Sequence, residues 1–212
     1  MSMNTNTKYK NIIFDLGGVL INWNPRQLIQ EILNDENAAK HKVSPDDLME
    51  MYRSSSWNDL DRGTSSKENV IEYFAKTYKI NADFFHIFYK KIYKHLFPLS
   101  EGLKLLNKIK SKGYKTYVLS NFSQDLFETV SPTYDFLDSF DGAIISYKVK
   151  TVKPEPEIYQ LLLKNYNLKA DECLFLDDKE ENILGAKVLG IDGILYKDCD
   201  KVCKMFEEKG IL

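Results

Sequence analysis

Asp15 is the first residue whose position indicates chemistry. It ends the apolar run 12–14 and is followed by Leu16, Gly17 and Gly18. A carboxylate at the tip of a buried strand is costly unless something uses its charge. The glycines let the backbone turn sharply and approach a ligand closely. An ordinary aspartate that opens a turn explains this stretch equally well, so the stretch alone does not decide between a catalytic and a structural role.

Two later stretches offer groups that could bind an anion. Ser120 and Asn121 follow an apolar run, and both side chains can donate hydrogen bonds to an oxyanion. Lys153 precedes a helical stretch that begins with proline, and an ammonium near a helix N-terminus suits a phosphate. Each has a simpler explanation by itself, because Ser-Asn is a common turn pair and a single lysine is usually a solvated surface charge.

Asp177 and Asp178 form the third later stretch. They come directly after the apolar run 174–176. Adjacent carboxylates at the end of a buried strand repel each other, and a hard cation with oxygen ligands removes that repulsion. The pair therefore predicts a divalent cation at this strand end.

Apolar runs and helical patterns alternate in the outer parts of the chain. Five runs predict buried strands at 11–14, 114–119, 142–145, 173–176 and 193–196. Helical patterns cover 100–113, with Ser100 as its cap, a stretch opened by Pro156, and 180–189. Such alternation predicts an α/β fold with a parallel sheet that is covered on both faces.

The middle of the chain differs, because no strand pattern occurs between residues 25 and 97. Four helical stretches are predicted instead, at 25–33, 45–54, 67–78 and 82–95. Ser65 and Glu68 have the spacing of a capping box for the third stretch. An insertion directly after the first strand should lie over the carboxyl ends of the strands, where open α/β sheets bind ligands. It is therefore predicted to act as a lid.

In their order along the chain, these stretches resemble the four motifs of the haloacid dehalogenase (HAD) superfamily. The strongest matches are residues 14–20, 153–159 and 175–186, and the resemblance covers nearly the whole chain. It implies a three-layer Rossmann-like parallel sheet built from residues 1–22 and 98–212, with an α-helical C1 cap formed by residues 23–97. The family members with such a cap include sugar-phosphate phosphatases. A Mg²⁺-dependent phosphatase that hydrolyses a small phosphate monoester, such as a sugar phosphate, is the leading expectation.

The resemblance also implies roles for single residues. Asp15 would attack phosphorus and form an aspartyl-phosphate. Ser120 and Asn121 would hold the phosphoryl oxygens, and Lys153 would bridge the nucleophile and the phosphate. The implied Mg²⁺ ligands are Asp15, the backbone carbonyl of Gly17, and the pair Asp177 and Asp178, of which Asp178 is favoured as the direct ligand. Trp57 and Arg62 lie in a segment that resembles the part of the cap that faces substrate.

Gly17 departs from the family pattern. Phosphatases of the family usually carry a second aspartate at this position, which protonates the leaving oxygen, and glycine cannot transfer a proton. Water or a cap residue could replace it; Asp59 and Asp61 are candidates, although a surface role is the better expectation for each. A good leaving group, or a chain without turnover, would also explain the glycine.

Two other functions stay open at this point. A phosphate-sensing or protein-binding pseudophosphatase would need no proton donor. A dehalogenase-type hydrolase also uses an aspartate nucleophile, but halide displacement needs no Mg²⁺, so the pair of Asp177 and Asp178 argues for a metal-bound phosphate.

Composition restricts the partners. The chain has 212 residues and a formal net charge of −2, with the basic residues spread along it, which predicts no binding of nucleic acid or of an anionic membrane. Residues 1–10 are polar and lack the apolar stretch of a signal peptide. Three cysteines suggest no disulfide framework, so a reducing cytoplasm is expected. The expected partner is a small phosphorylated metabolite.

Overall fold

A five-stranded parallel sheet forms the centre of the computed structural model, which describes residues 7–212. Residues 1–6, part of the polar segment that argued against a signal peptide, lie outside the described residues. The strands are β1 (Asn11–Phe14), β2 (Lys115–Ser120), β3 (Gly142–Ile145), β4 (Cys173–Asp177) and β5 (Asp192–Leu195). Their order across the sheet is β3-β2-β1-β4-β5. The predicted α/β fold with a Rossmann-like parallel sheet is confirmed.

The register brings the ends of the central strands together. Phe14, the last residue of β1, pairs with Val118 of β2 and with Leu176 of β4. The amide of Asp15 then donates to the carbonyl of Leu176 at 2.9 Å. Side chains that follow β1, β2 and β4 therefore meet at one edge of the sheet.

Helices cover both faces of the sheet and fill the insertion. Among the described residues the α-helices are α1 (Pro25–Leu33), α2 (Glu36–Ala39), α3 (Pro45–Arg53), α4 (Ser55–Arg62), α5 (Lys67–Tyr78), α6 (Asp83–His95), α7 (Ser100–Ser111), α8 (Gln124–Val130), α9 (Ser146–Val149), α10 (Pro156–Asn165), α11 (Glu180–Val188) and α12 (Cys199–Glu208). No helix in the described part of the chain is long and apolar enough to cross a membrane.

Helices α1 to α6 make up an insertion between β1 and α7, which we call the helical insertion (residues 25–95). The four predicted stretches correspond to α1, α3, α5 and α6, and two short helices, α2 and α4, were not predicted. Helix α3 ends one residue before the prediction because Ser54 is extended (φ −71°, ψ 157°) and caps α4 instead. Its hydroxyl accepts a hydrogen bond from the amide of Trp57 at 3.2 Å.

Two predicted helix caps are wrong. Ser66, and not Ser65, caps α5, because its hydroxyl is the group that accepts from the Asn69 amide at 3.2 Å. Ser100 is the first residue of α7 rather than its cap; the cap position is Leu99, whose side chain cannot accept a hydrogen bond. The capping box that does form joins Ser44 and Asp47 at the start of α3.

Two apolar layers flank the sheet. On one face, Ile13, Leu119 and Phe175 pack with residues of α10 and α11. On the other face, Ile12, Phe14 and their strand neighbours belong to a larger cluster that continues into α7, α12 and the helical insertion. The core of the insertion and that face of the sheet are therefore one continuous apolar region.

Gly102 allows α7 to pack directly on the loop that follows β1. A Cβ at this position would lie 2.0 Å from the carbonyl oxygen of Val19, which is backbone and cannot rotate away. We expect Gly102→Ala to destabilise the fold by about 2 kcal/mol or more, and to lower the melting temperature by about 2–4 °C per kcal/mol. Thermal denaturation of this variant beside Lys104→Ala, an exposed position of the same helix, measures the effect. Equal melting temperatures would contradict this account of the packing.

Candidate active site

Lys153 is the centre of a buried charge cluster at the carboxyl edge of the sheet. Its ammonium nitrogen lies 2.9 Å from Asp15 Oδ1 and 2.6 Å from Asp177 Oδ2. It also donates to the carbonyl of Leu119 at 2.9 Å. Only 1% of the Lys153 side chain is exposed. Burial alone would lower the pKa of Lys153, but Asp15 and Asp177 outweigh it and raise that pKa, so the lysine is held as a cation.

Asn121 positions Lys153 through its backbone. The Asn121 amide nitrogen donates to the carbonyl of Lys153 at 2.9 Å, and its oxygen accepts from the Lys153 amide at 2.7 Å. Both polar atoms of the Asn121 side chain are therefore engaged, although Asn121 lines the cavity described below. Its predicted contact with phosphoryl oxygens stays a prediction.

Ser120 ends β2 and is buried. Within the described chain, its hydroxyl makes no hydrogen bond to another residue. The predicted role of this hydroxyl in holding phosphoryl oxygens is untested, and the hydroxyl is available for it.

Asp177 is fixed by its neighbours. Its carboxylate accepts from Asn182 Nδ2 at 2.9 and 3.0 Å and from the amide of Lys179 at 2.8 Å, in addition to the ion pair with Lys153. Most of the acceptor capacity of Asp177 is therefore used within the chain, and its predicted role as a Mg²⁺ ligand stays a prediction.

Asp178 sits against the turn after β1. Gly18 has a φ of +72°, and a Cβ there would lie 2.7 Å from Asp178 Oδ2. Gly18 is thus required both for the left-handed turn and for the close approach of this carboxylate.

Three carboxylates meet at the cluster with oxygens suited to a cation. Asp15, Asp177 and Asp178 each offer one oxygen, and these oxygens lie within 4.8 Å of one another. Burial raises the pKa of Asp15 to about 7 although Lys153 acts against it. Burial, and then the charge of Asp177, raise the pKa of Asp178 to about 6. A hard cation would remove this penalty, and an all-oxygen donor set fits Mg²⁺.

A cavity lies over the cluster; its volume is about 60 Å³, and the space is about 580 Å³ with its open mouth included. It contains Asp15, Gly17, Lys153 and Asp178 on the sheet side. The apolar and aromatic residues of its lining are Trp23, Tyr52, Trp57, Leu96, Phe122 and Leu126, and the other polar residues are Asp61, Asn121, Lys179 and Asn182. The Trp23 and Trp57 rings stack with centroids 6.3 Å apart and an angle of 28°. Trp57 lines the cavity, and its predicted contact with a substrate stays a prediction.

Arg62 has a different position. It does not line this cavity; its guanidinium forms a bidentate pair with Glu155, with distances of 2.6 and 2.5 Å. Hydrogen bonds from Arg62 hold the pKa of Glu155 at about 2. The pair joins the end of α4 to the loop that carries Lys153. The donors of Arg62 thus already face a carboxylate, and its predicted substrate contact stays a prediction.

Sequence reasoning missed other residues at the cavity. Lys179 lines it beside Asp178; burial opposes its charge, but Tyr52, Asp178 and Asp15 together raise its pKa. Its place directly after the aspartate pair is a signal that could have found it. Trp23 donates from its ring nitrogen to the Tyr52 hydroxyl at 3.2 Å, and no pattern in the sequence joins these two residues.

A strand-tip aspartate, a buried lysine and an acidic pair on a parallel sheet are the features that the resemblance to the HAD superfamily implied. The family model for haloacid dehalogenase-like hydrolases matches residues 9–190. The chain belongs to this family and is a hydrolase.

Curated relatives include phosphatases. The chain is 27% identical over 197 residues to a sesquiterpene phosphatase, astK, of Aspergillus oryzae, covering 93% of this chain and 94% of that protein. It is 24% identical over 196 residues to a D-ribitol-5-phosphate phosphatase of Bacteroides thetaiotaomicron, covering 86% and 89%.

Solved structures show the same fold. A HAD family enzyme from Bacteroides thetaiotaomicron, in complex with magnesium and inorganic phosphate, has a TM-score of 0.67 at 24% identity and covers 89% of this chain and 94% of its own. A predicted HAD-like hydrolase from Porphyromonas gingivalis has a TM-score of 0.72 at 20% identity, with coverages of 94% and 98%. At these identities the likeness establishes the fold alone.

The raised pKa values of Asp15 and Asp178 predict the direction in which the stability of the fold changes with pH. Asp15 and Asp178 have pKa values of about 7 and 6 in the folded protein, above the ordinary 3.8. Below pH 3.8 both carboxyl groups are largely protonated in the folded and in the unfolded chain, and their effect on the free energy of unfolding is most favourable. The folded protein becomes less stable as pH rises toward 7, because the unfolded chain releases these protons first. Without a cation we therefore expect the melting temperature to fall between pH 5 and pH 7.5.

Mg²⁺ should reverse this loss. At about 100 times its dissociation constant it should add about 2.7 kcal/mol, or about 5–10 °C, at pH 7.5, and clearly less at pH 5, where protons compete. Thermal denaturation with Mg²⁺ and with EDTA at the two pH values measures this, with Asp178→Asn as the variant that should lose most of the Mg²⁺ effect. A Mg²⁺ shift of the same size at both pH values would contradict the cation site.

Proposed function

We propose that this protein is a Mg²⁺-dependent phosphatase that hydrolyses a small phosphate monoester through an aspartyl-phosphate on Asp15. One observation carries the proposal: a buried ammonium lies between Asp15 and Asp177, beside a cluster of carboxylates that fits a divalent cation. So costly an arrangement of charge is explained by an anionic substrate. The phosphatases among the relatives support the same activity.

The residues of the site have separate roles in the proposed reaction. Asp15 attacks phosphorus with its free carboxylate oxygen, and Lys153 holds that carboxylate and offsets its charge. The Ser120 hydroxyl and the Lys153 ammonium would donate hydrogen bonds to the phosphoryl oxygens. Bound by Asp15, Asp178 and the Gly17 carbonyl, Mg²⁺ would supply the positive charge that lets a phosphate dianion approach a carboxylate.

The cavity wall favours a substrate with an apolar organic group over a sugar phosphate. Stacked indole rings and aliphatic side chains face the space next to the charge cluster. Hydroxyl groups of a sugar would need buried polar partners there, and Asn121 and Asn182 already bond to Lys153 and Asp177. Beyond the charge cluster, Asp61 and Lys179 are the remaining charged groups of the lining. The sesquiterpene phosphatase among the relatives is consistent with a small phosphorylated metabolite of this apolar kind.

The nucleophile and the cation can be tested together. Hydrolysis of p-nitrophenyl phosphate should require Mg²⁺ and stop in EDTA, because the phosphate cannot approach an uncompensated Asp15. Asp15→Asn should lower kcat by about 10³-fold or more, since it removes the nucleophile. Asp200→Asn, at an exposed position of α12, is the matched control and should keep full activity.

Other outcomes would change the assignment. Phosphate binding without turnover would favour a phosphate-sensing protein, and Mg²⁺-independent release of halide from a 2-haloacid would favour a dehalogenase. Full activity of Asp15→Asn would exclude the proposed nucleophile.

The preference for an apolar group is measured with straight-chain alkyl phosphates. Each added methylene that enters the cavity is worth about 0.8 kcal/mol, or about fourfold in kcat/KM, until the wall is covered. Sugar phosphates of similar size should react more slowly. Trp57→Ala should flatten this increase, whereas Tyr73→Ala, an exposed aromatic position of the helical insertion, should not. A preference for sugar phosphates in the native protein would contradict the assignment.

A further inference from the structure

The proton donor that Gly17 cannot provide must come from elsewhere in the cavity. A Cβ added at Gly17 would lie 3.4 Å from Trp23 Cβ and 3.7 Å from two atoms of its indole ring. The Trp23 side chain therefore lines the space that a side chain at position 17 would enter. The leaving oxygen of an alkyl phosphate still needs a proton, because an alkoxide is a poor leaving group.

Among the acidic residues that line the cavity, Asp61 is neither the proposed nucleophile nor a proposed ligand of the cation. It lies at the end of α4 and lines the cavity with Asp15 and Lys153. Its carboxyl group makes no hydrogen bond to any other residue in the described part of the chain, so its proton is not already committed. The other candidate in this helix, Asp59, is exposed and does not line the cavity.

The backbone of Asp61 is anchored to the catalytic edge of the sheet. Its carbonyl accepts from the hydroxyl of Ser146, a fully buried residue, at 2.5 Å. The same hydroxyl accepts from the amide of Phe122 at 2.9 Å, directly after Asn121. Asp61 is thus tied through one side chain to the loop that positions Lys153.

The next two residues add further anchors. Arg62 pairs with Glu155, and the carbonyl of Gly63 accepts from the Lys150 ammonium at 2.5 Å. Three consecutive residues of the helical insertion are therefore fixed to the 146–155 segment of the core. A carboxyl held in this way over a cavity is what a positioned acid requires.

Burial favours the protonated form of Asp61 near neutral pH. Burial raises the pKa of Asp61 to about 7, from an ordinary 3.8. Lys179 and Lys153 act to lower that pKa, and the carboxylates of Asp125 and Asp15 act to raise it. Asp61 thus still holds a proton in part of the molecules near pH 7.

We propose that Asp61 is the general acid of this phosphatase, delivered by the helical insertion in place of a second aspartate in the core. The inference depends on the proposed phosphatase activity. It assigns proton transfer to a residue of α4 and nucleophilic attack to the residue after β1.

The step balances in atoms and charge. Asp15 Oδ forms a bond to phosphorus while the bond from phosphorus to the leaving oxygen breaks, and that oxygen takes the Asp61 proton and departs as an alcohol. Water then attacks the aspartyl-phosphate and gives a proton to the Asp61 carboxylate. Asp15 is released as a carboxylate together with phosphate, and Asp61 again holds a proton.

Single-turnover alcohol release isolates the first step from the attack of water. With enzyme in excess, Asp61→Asn should slow release from an alkyl phosphate by about 10²–10⁴-fold, the usual effect of an acid. Release of p-nitrophenol should slow by less than about tenfold, because p-nitrophenolate needs little protonation. Asp59→Asn is the matched control and should change neither rate.

The pH profile gives a second measurement. In the native protein the alkyl rate should fall above about pH 7, as Asp61 loses its proton. Asp125→Asn removes a neighbouring negative charge, so it should lower the pKa of Asp61 and move this fall to lower pH. If Asp61→Asn does not fold, Ser146→Ala loosens the anchor and should slow alkyl substrates more than aryl ones.

The outcomes separate this inference from the proposed function. Equal losses for alkyl and aryl substrates in Asp61→Asn, or no loss for either, would overturn the role of Asp61 while leaving the phosphatase intact. A native protein that turns over neither substrate with Mg²⁺ would instead overturn the proposed function.

Discussion

The structure depends on one buried ion pair arrangement, in which the ammonium of Lys153 lies between Asp15 and Asp177. An unpaired charge at this depth would cost several kcal/mol, so the surrounding groups must hold the arrangement together. Asn121 fixes the backbone of the lysine, and Asn182 fixes the second carboxylate. Parallel strands in register bring these residues from distant parts of the chain to one edge. The sheet is therefore the support for the charge cluster, and its order with β1 in the centre places the nucleophile in the middle.

The helical insertion, together with Trp23 in the segment before it, gives this cluster its low-dielectric surroundings. Trp23, Tyr52 and Trp57 shield one side of the cavity, and the Arg62–Glu155 pair holds the insertion against the core. Exclusion of water strengthens every electrostatic interaction at the site. It also explains why the acidic residues at the cavity have raised pKa values, since burial is the largest cause for each of them. Stability of the metal-free protein is thus reduced by the same burial that favours catalysis.

Strand tips were the predictable part of this site. Apolar runs predict buried strands, and parallel strands bring the residues after them together, so Asp15, Ser120 and Asp178 could be joined from the sequence. Lys153 follows no strand, and only the resemblance to the HAD motifs joined it to them. The partner of Arg62 could not be predicted, because it depends on how α4 packs on a loop 93 residues away in sequence. The engagement of Asn121 with Lys153 has the same origin. Local patterns also failed where adjacent serines compete for one cap, as Ser65 and Ser66 do. Tertiary packing decides such cases, and hydrophobic periodicity carries no information about it.

The proposed roles of Asp15 and Asp61 divide the reaction between two parts of the chain. Attack on phosphorus needs only the edge of the sheet, whereas protonation of the leaving oxygen needs α4 in place. Under the proposal, a bound phosphate ester is cleaved efficiently when Ser146, Lys150 and Glu155 hold that helix against the core. The anchors also face the loop of Lys153, so the acid and the lysine share one support. The Trp23 indole beside Gly17 agrees with this division. A core that carries no acid at position 17 leaves that space for an apolar side chain.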